Sequence, residues 1–176
     1  MTQSASRNDL LNIYNRLVLH NGRRNWWPIN INPIDSVATA GFEIVTGAIL
    51  GQNTTWKNAE RALANMYSAD IWGYGSVHDV PERILGEIIR TSGYYNTKAK
   101  KLKAFAKVIT TEFNGTDTEL FKLELPELRD RLLSIYGIGE ETADDIILYA
   151  AKKPSFIIDT YTRRIVNRLG WQVNFK

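Results

Sequence analysis

The segment YGIGEETADDIIL, residues 136–148, contains a short turn whose residue types suit anion binding. Gly137 and Gly139 can adopt backbone conformations that other residues avoid, and they leave their N–H groups unshielded. Exposed amides at the start of a helix attract anions, because the helix dipole adds positive charge there. The turn around Ile138 is therefore predicted to bind one phosphate without the help of a basic side chain.

A second feature is a local excess of positive charge between Glu87 and Glu112. No acidic residue lies between these two, and the basic residues there are Arg90, Lys98, Lys100, Lys101, Lys103 and Lys107. Such a patch attracts polyanions, including nucleic acids. A solvated lysine face on a helix is the alternative interpretation, and the residues alone leave both open.

The composition excludes several other kinds of chemistry. The chain has 176 residues, of which 44% are hydrophobic, enough for one domain or for two small lobes that share a core. It has no cysteine, which excludes disulfides, thiolate zinc sites, iron–sulfur clusters and a cysteine nucleophile. Only His20 and His78 are available, which disfavours a histidine-based metal site.

The hydropathy pattern shows no membrane or export signal. No run approaches the roughly 18 uninterrupted apolar residues of a membrane span. The polar start MTQSASRNDL lacks the apolar core of a secretory signal. We therefore expect a cytoplasmic protein that does not associate with membranes.

Apolar residues recur at intervals of three and four, which predicts an almost entirely helical chain. The predicted helices span residues 8–20, 36–51, 55–67, 81–90, 96–113, 126–135, 140–152 and 160–169. Convincing alternating strands, linker-like segments and repeats of fixed period are not found. The predicted fold class is all-α, a compact helical array.

Residues 126–152 are predicted to form a helical hairpin around the glycine turn. One helix is lined by Leu128, Leu132 and Ile135, and the second by Thr142, Ala143, Ile146, Ile147 and Ala150. The two apolar faces are expected to pack against each other.

Four blocks of sequence resemble a known family. LLSIYGIGEETADDIILYA is similar to the helix-hairpin-helix motif, and FIIDTYTRRIVNRLG resembles the aspartate segment of the endonuclease III superfamily of DNA glycosylases, the HhH-GPD fold. Upstream, GAILGQNTTWKNAERAL resembles the helix pair that carries a DNA-wedging glutamine. SGYYNTKAKKLKAFA resembles the glycine-tyrosine-asparagine-lysine segment of the family. The blocks cover roughly residues 36–170, in the order of the family.

The residue at position 141 bears on the reaction that this resemblance implies. Family members that also cut the DNA backbone carry a lysine nucleophile two residues after the second hairpin glycine, where this chain has Glu141. A carboxylate cannot form the Schiff base of the lyase step, which needs an amine. The resemblance thus implies a monofunctional glycosylase that leaves an abasic site. Glu140 and Glu141 also suit the first turn of a helix, and the two interpretations are compatible.

By the same resemblance, Asp159 is assigned to catalysis together with position 141. Cleavage of an N-glycosidic bond builds positive charge on the deoxyribose, as in other glycosidases. A nearby carboxylate can stabilise this cation and can orient or deprotonate the attacking water. Taken without the family, Asp159 is an ordinary N-cap for the helix that begins at TYTRRIVNRL.

The resemblance also implies contacts with double-stranded DNA. Gln52 resembles the wedge that fills the gap left when a base is flipped out of the duplex, although a polar residue here can also simply end a helix. Lys98, Lys100 and Lys101 are expected to face phosphates, with a solvated face as the alternative. Together with Gly137, Ile138 and Gly139, these residues form the predicted DNA-binding surface.

The tryptophans bear on the substrate. NWWPIN at residues 25–30 and Trp56 within NTTWKN resemble the pocket-forming segments of the 3-methyladenine DNA glycosylase III type. Trp26, Trp27, Pro28 and Trp56 are expected to enclose a flipped base. An N-alkylated purine is positively charged, so tryptophan faces would favour it by about 0.5–2 kcal/mol through cation–π attraction. Simple core packing is the alternative role of these residues.

The cofactor prediction rests on the family resemblance alone. In the family, hairpin carbonyl oxygens coordinate sodium or potassium, which here would involve the carbonyls of Leu133, Ile135 and Ile138. The type of glycosylase that the chain resembles lacks an iron–sulfur cluster, so no other cofactor is expected.

Three segments are predicted along the chain. Residues 1–35 should pack with a partial second lobe, 36–152 should form the helical domain, and 153–176 should carry the catalytic aspartate and its helix. Family members continue with further helices, whereas this chain ends 17 residues after Asp159, so we expect a truncated chain or a reduced lobe.

The predicted function is excision of a damaged base from double-stranded DNA in base excision repair. The enzyme is expected to act as a monomer, associated with the nucleoid. Two alternatives remain open from the residues. One is a non-catalytic helix-hairpin-helix module that binds DNA, and the other is a mismatch or oxidised-base glycosylase of the same fold.

Overall fold

The computed structural model describes residues 6–24, 26–28 and 37–171. Its α-helices are α1 Arg7–Asn21, α2 Val37–Gly51, α3 Trp56–Ser68, α4 Tyr74–Asp79, α5 Glu82–Ile88, α6 Tyr95–Glu112, α7 Thr118–Lys122, α8 Leu125–Leu133, α9 Glu140–Asp145 and α10 Thr160–Arg168. A 3-10 turn spans Arg90–Ser92, and a π-helical turn, Ile146–Ala150, continues α9. Within the described ranges no β-strand forms. The prediction of an all-α fold is confirmed.

The helices predicted from periodicity are all present, and their observed ends lie within two residues of the predicted ones when the π-helical turn is counted with α9. The short helices α4 and α7, of six and five residues, were not predicted. Helices of this length span fewer than two turns, so they cannot show a repeating apolar pattern. Both depend on the packing around them rather than on their own periodicity.

The chain divides into two compact units, Met1–Pro28 with Phe156–Lys176, and Ile29–Ser155. The terminal segments thus group together, and the long middle segment forms the larger unit. The divisions fall after residues 28 and 155, whereas the predicted segment boundaries fall after residues 35 and 152.

The larger unit is built around α2, which is buried from Gly41 to Leu50. This helix is buried because it packs against α3, α6 and the π-helical turn, and its buried residues include the polar Glu43 and Thr46. The apolar face that α6 contributes to this core consists of Leu102, Phe105, Ala106 and Ile109. An aromatic cluster fills one end of this core. Phe42 meets the rings of Trp72 and Tyr74 edge-on at 5.3 and 5.1 Å, and Tyr74 stacks on Phe105.

A buried polar pair lies beside that cluster. The Tyr74 hydroxyl donates to Asp117 Oδ2 at 2.8 Å, and both residues are buried. A Cβ at Gly41 would collide with this carboxylate oxygen, so glycine is needed for the acid to approach α2. Burial raises the pKa of Asp117, although the hydrogen bond from Tyr74 partly offsets this effect.

The smaller unit has a different organisation. Helix α1 begins with a capping box between Ser6 and Asp9, in which Asp9 N donates to Ser6 Oγ and Ser6 N donates to Asp9 Oδ2. Neither α1 nor α10 contains a fully buried residue. The helices of this unit are therefore defined by local capping more than by a core.

Candidate active site and nucleic-acid interface

The glycine turn forms as predicted between α8 and α9. Gly137 has φ +85°, a conformation that favours glycine, and Gly139 is the N-cap of α9 in extended conformation. Ile138 is buried, and its amide donates to the Ile135 carbonyl at 3.1 Å. The turn is thus anchored by one apolar side chain and one backbone hydrogen bond.

The two helices of the hairpin are joined by a core and by an ion pair. Of the predicted lining residues, all but Ala150 are buried, and Ala150 is half-buried. Arg129 Nε on α8 donates to Asp144 Oδ1 on α9 at 3.2 Å. Asp144 Oδ1 also accepts from Ser155 Oγ at 3.0 Å. These contacts hold the helices at a defined distance, so the turn between them is rigidly supported.

Gln52 lies against this turn. Its Nε2 donates to the Gly137 carbonyl at 3.1 Å and to Thr142 Oγ1 at 2.9 Å. Its Oε1 accepts from Lys101 Nζ at 2.5 Å. The predicted wedge and one predicted phosphate-binding lysine are therefore brought together at the hairpin. Thr142 is a polar partner that the sequence had indicated only as a helix-lining residue.

These groups border a pocket of about 320 Å³. Its lining consists of Gln52, Asn53, Lys101, Gly137, Gly139, Glu140, Glu141 and Thr142. Among these described lining residues, Lys101 carries the one positive charge. The pocket thus combines turn residues, an ammonium group and, on its rim, the two carboxylates.

The prediction that Lys98 faces phosphate is wrong. Lys98 is only 2% exposed, and its Nζ donates to the Leu50 carbonyl at 2.8 Å and to the Ser92 carbonyl at 2.6 Å. These carbonyls lie at the end of α2 and in the 3-10 turn, where helical partners run out. Burial, helped by the positive charge of Lys101, lowers the pKa of Lys98 to about 8. Lys98 is therefore a cap between two helix ends.

The rest of the basic patch is also partly used inside the fold. Lys103 Nζ donates to three carbonyls at the end of α4, those of Val77, His78 and Val80. Arg90 pairs with Glu87 and lies over the Tyr95 ring. Lys100 and Lys107 are exposed on α6. Neither alternative from the sequence was complete, because some of these cations cap helices and others remain on the surface.

Asp159 is the N-cap of α10. Its Oδ1 accepts from the Thr162 amide at 2.7 Å, and Thr162 Oγ1 donates to the Ile157 carbonyl at 3.1 Å. The carboxylate is half-buried and its orientation is set by this local geometry. The capping role is therefore observed, and it is compatible with a catalytic role for the same group.

The face of α10 beyond Asp159 is basic. A groove of about 460 Å³ is lined by Thr160, Arg163, Arg164, Asn167 and Arg168. Arg164 also lies over the Tyr161 ring at 5.5 Å. The sequence signal for this surface was the TRRIVNR segment, in which the basic residues recur at helical spacing.

The tryptophans are divided between the two units. Trp26 and Trp27 are neighbours in the smaller unit, with ring centroids 5.4 Å apart and a tilt of 54°, and Trp26 is 46% exposed. A pocket of about 630 Å³ in that unit is lined by Tyr14, Leu17, Val18, Asn21, Gly22, Arg23, Arg24 and Trp26. Trp56 begins α3 in the larger unit and is half-buried. The α1 residues of this pocket were not predicted from the sequence.

The carbonyls proposed for a monovalent cation all lie in the turn region. Leu133 is the last residue of α8, and a helix cannot satisfy its final carbonyls internally. The Ile135 carbonyl accepts one hydrogen bond, which leaves a second lone pair. These donors suit an alkali cation in type. No cluster of His, Cys, Asp or Glu suited to a metal occurs in the described ranges.

Comparison with known proteins agrees with this architecture. The family model for the HhH-GPD superfamily of base excision DNA repair proteins matches residues 46–175, which include the hairpin, α6 and Asp159. The chain therefore belongs to the HhH-GPD family, and the resemblance inferred from the sequence is confirmed. Within the described part of the chain, no helix is both long and apolar enough to cross a membrane.

Individual relatives are consistent with this assignment. The chain is 44% identical over 160 residues to a candidate DNA repair glycosylase of Methanocaldococcus jannaschii, covering 90% of this chain and 68% of that one. It is 27% identical over 139 residues to endonuclease III of Thermotoga maritima, covering 79% of this chain and 61% of that one.

One solved structure is similar to this chain in both fold and sequence. The H. pylori 3-methyladenine DNA glycosylase bound to 1,N6-ethenoadenine aligns with a TM-score of 0.77 and 28% identity. The alignment covers 94% of this chain and 74% of that chain.

Proposed function

We propose that this chain is a monofunctional DNA glycosylase that removes a damaged base from double-stranded DNA by hydrolysis. The observation that carries the proposal is the placement of Asp159 at the start of α10, with Oδ1 2.7 Å from the Thr162 amide. This hydrogen bond fixes the direction of the carboxylate without the need for a further charged partner. A preoriented charge loses little reorganisation energy when a cation forms beside it.

The reaction proceeds at C1′ of the flipped nucleotide. The C1′–N bond breaks, its electron pair leaves with the base, and the sugar becomes oxocarbenium-like. Asp159 stabilises this cation and orients a water whose oxygen forms the new bond to C1′. The water proton passes to the carboxylate or to solvent, and an abasic site remains.

Glu141 supports the absence of a lyase step. It is exposed in the first turn of α9, at the position where lyase relatives carry their nucleophile. A carboxylate there cannot attack C1′ to form an imine. The abasic product is therefore expected to leave with its backbone intact.

An N-alkylated purine is the proposed substrate class. The adjacent rings of Trp26 and Trp27 present apolar π faces, one of them half exposed. Such faces attract a cationic base more than a neutral one. The likeness to a 3-methyladenine glycosylase with a bound adenine derivative supports the same class.

The DNA strand is proposed to bind at the glycine turn. The amides near Gly137 and Gly139 and the ammonium of Lys101 would hold a phosphate, and the exposed Lys100 would contact the strand nearby. A sodium or potassium ion on the carbonyls of the turn would add positive charge there. No other cofactor is proposed.

An excision panel tests the proposal. Duplexes carry 3-methyladenine, thymine opposite guanine, or an oxidised pyrimidine, and base release is measured with enzyme in excess, in the presence of a chelator. We expect release of 3-methyladenine, and its loss in Asp159→Asn. Tight binding without release from any duplex would favour a non-catalytic DNA-binding module, and release of another base would change the substrate class.

Borohydride trapping tests the role of Glu141. Reduction during turnover should give no covalent protein–DNA complex, because no amine stands at position 141. Glu141→Lys provides the matched variant, in which an amine occupies that position. A complex trapped with the unmodified chain would show that another amine performs lyase chemistry.

A further inference from the structure

Gln52, Lys101 and the glycine turn form one hydrogen-bonded cluster. Gln52 uses Nε2 toward the Gly137 carbonyl and Thr142 Oγ1, and Oε1 toward Lys101 Nζ. Both polar atoms of the amide are thus engaged with groups of the protein. The side chain proposed to enter the duplex is therefore tied to the turn proposed to hold the strand.

Lys101 reaches Gln52 by passing over Gly137. A Cβ at position 137 would collide with Cγ, Cδ and Cε of Lys101, so the lysine stem lies directly on the glycine. The stem is fixed by this contact, whereas Nζ lies at the edge of the pocket that the turn borders. The ammonium group rotates about the Cε–Nζ bond, so Nζ can exchange one acceptor for another without movement of the stem.

The Lys101 ammonium group lies at a pocket that also has two carboxylates in its lining. Glu140 and Glu141 line the same pocket and oppose the approach of a phosphate. Lys101 is the cation among the described residues that line it. While Nζ donates to Gln52 Oε1, that donor is not available to a phosphate.

We propose that Gln52 and Lys101 form a latch that couples insertion into the duplex to phosphate binding. When Gln52 leaves the turn to fill the gap of a flipped base, Lys101 Nζ loses its acceptor and takes a phosphate oxygen instead. Lys101 then contributes a phosphate contact only in the complex with the flipped nucleotide. The latch rests on the proposed function, because it takes Gln52 as the wedge.

The salt dependence of binding tests the latch. Each phosphate contact contributes about 0.9 to the slope of log affinity against log salt concentration. Two duplexes are compared, one undamaged and one with a tetrahydrofuran abasic analogue, which lacks the base that Gln52 replaces. Lys101→Met keeps an unbranched stem over Gly137 and removes the ammonium. We expect Lys101→Met to reduce the magnitude of the slope by about 0.9 on the abasic duplex. The slope on the undamaged duplex should not change.

The reciprocal variant is Gln52→Ala, which removes the competing acceptor. We expect it to raise the slope on the undamaged duplex by about 0.9, because Lys101 is then available from the start. Adding Lys101→Met to Gln52→Ala should return the slope to its original value. Lys107→Met, which removes an exposed charge from the same helix, is the matched control and should not distinguish the two duplexes.

Two results with Lys101→Met would contradict the latch. An equal fall on both duplexes with Lys101→Met would make the lysine a constant phosphate contact, and no fall on either would make it a support for Gly137 alone. Either result overturns the latch. Thermal melting verifies that each variant folds. If Lys101→Met does not fold, the Gln52→Ala variant alone tests the latch. Binding slopes need no chemistry, so a failed latch leaves base release intact, whereas a failed glycosylase proposal appears in the excision panel.

Discussion

The two compact units hold their candidate functional residues in different ways. In the larger unit, the apolar core runs from Phe42 to Ile147 and includes both helices of the hairpin. In the smaller unit, α1 and α10 have no fully buried residue, and Asp159 is oriented by one bond to an amide three residues away. The turn proposed to bind a DNA strand is thus positioned by tertiary packing, whereas the carboxylate proposed for catalysis is positioned by a local cap.

This difference indicates how much the free energy of unfolding should fall when a residue of each unit is substituted. A local cap contributes about 1 kcal/mol and can be preserved by a residue of similar shape. A packed core loses several kcal/mol when one large side chain is removed. We therefore expect that a substitution in the smaller unit can change base release without changing the free energy of unfolding. In the larger unit, a substitution in the core should lower the free energy of unfolding as well.

The largest effect is expected at Asp159. Asparagine caps helices about as well as aspartate, so Asp159→Asn should keep the fold and lower single-turnover base release by roughly 10²–10⁴-fold. Asp159→Ala should lose the same activity and, in addition, about 1 kcal/mol of unfolding free energy. Retained activity in the asparagine variant would show that the residue is a cap only.

The core of the hairpin provides the next test. Leu132→Ala leaves a cavity beneath the turn and should cost about 2–5 kcal/mol in urea unfolding, since Leu132 is fully buried. Leu17→Ala is the matched change in the smaller unit, where Leu17 is 55% exposed, and should stay within about 0.5 kcal/mol of zero. Equal losses at both positions would remove the contrast between the units.

The two glycines of the turn are expected to differ from each other. Gly137→Ala imposes a side chain at φ +85° and against Lys101, so it should cost about 1–3 kcal/mol and weaken DNA binding. Gly139 has φ −94° and open space at its Cβ position, so Gly139→Ala should cost less than about 1 kcal/mol. Urea unfolding and fluorescence anisotropy with a duplex measure both effects.

The smallest effect concerns the pH dependence of the larger unit. Burial raises the pKa of Asp117, so its favourable contribution is full below the unfolded pKa of about 3.9 and is lost as pH rises through the folded value. Asp117→Asn cannot titrate, and its amide oxygen can still accept from Tyr74. We expect its unfolding free energy to decline less between pH 4 and pH 7, with the exposed Asp79→Asn as the charge-matched control. An unchanged pH profile would contradict the assignment.

Periodicity was sufficient to locate most helices, because apolar spacing and helix ends are properties of neighbouring residues. The glycine turn followed for the same reason, since the left-handed conformation at Gly137 is needed by the local chain. The short helices α4 and α7 could not be found in this way, because five or six residues carry no period.

The lysines of α6 show where this reasoning stops. Lys98, Lys101 and Lys103 have similar neighbours in sequence, and all three were part of one basic patch. Their acceptors are carbonyls of other helices for Lys98 and Lys103, and an amide oxygen 49 residues away for Lys101. No pattern in the sequence of α6 indicates which acceptor each of these lysines will bind.

By itself, the sequence determined the longer helices, the glycine turn and the cap at Asp159, because each depends on hydrogen bonds and side-chain spacing within a few residues. Only the tertiary structure decided which cations remain available for a strand and that Gln52 is bound to the turn. The physical reason is that a buried ammonium must find acceptors wherever packing supplies them, and packing brings together residues that are far apart along the chain.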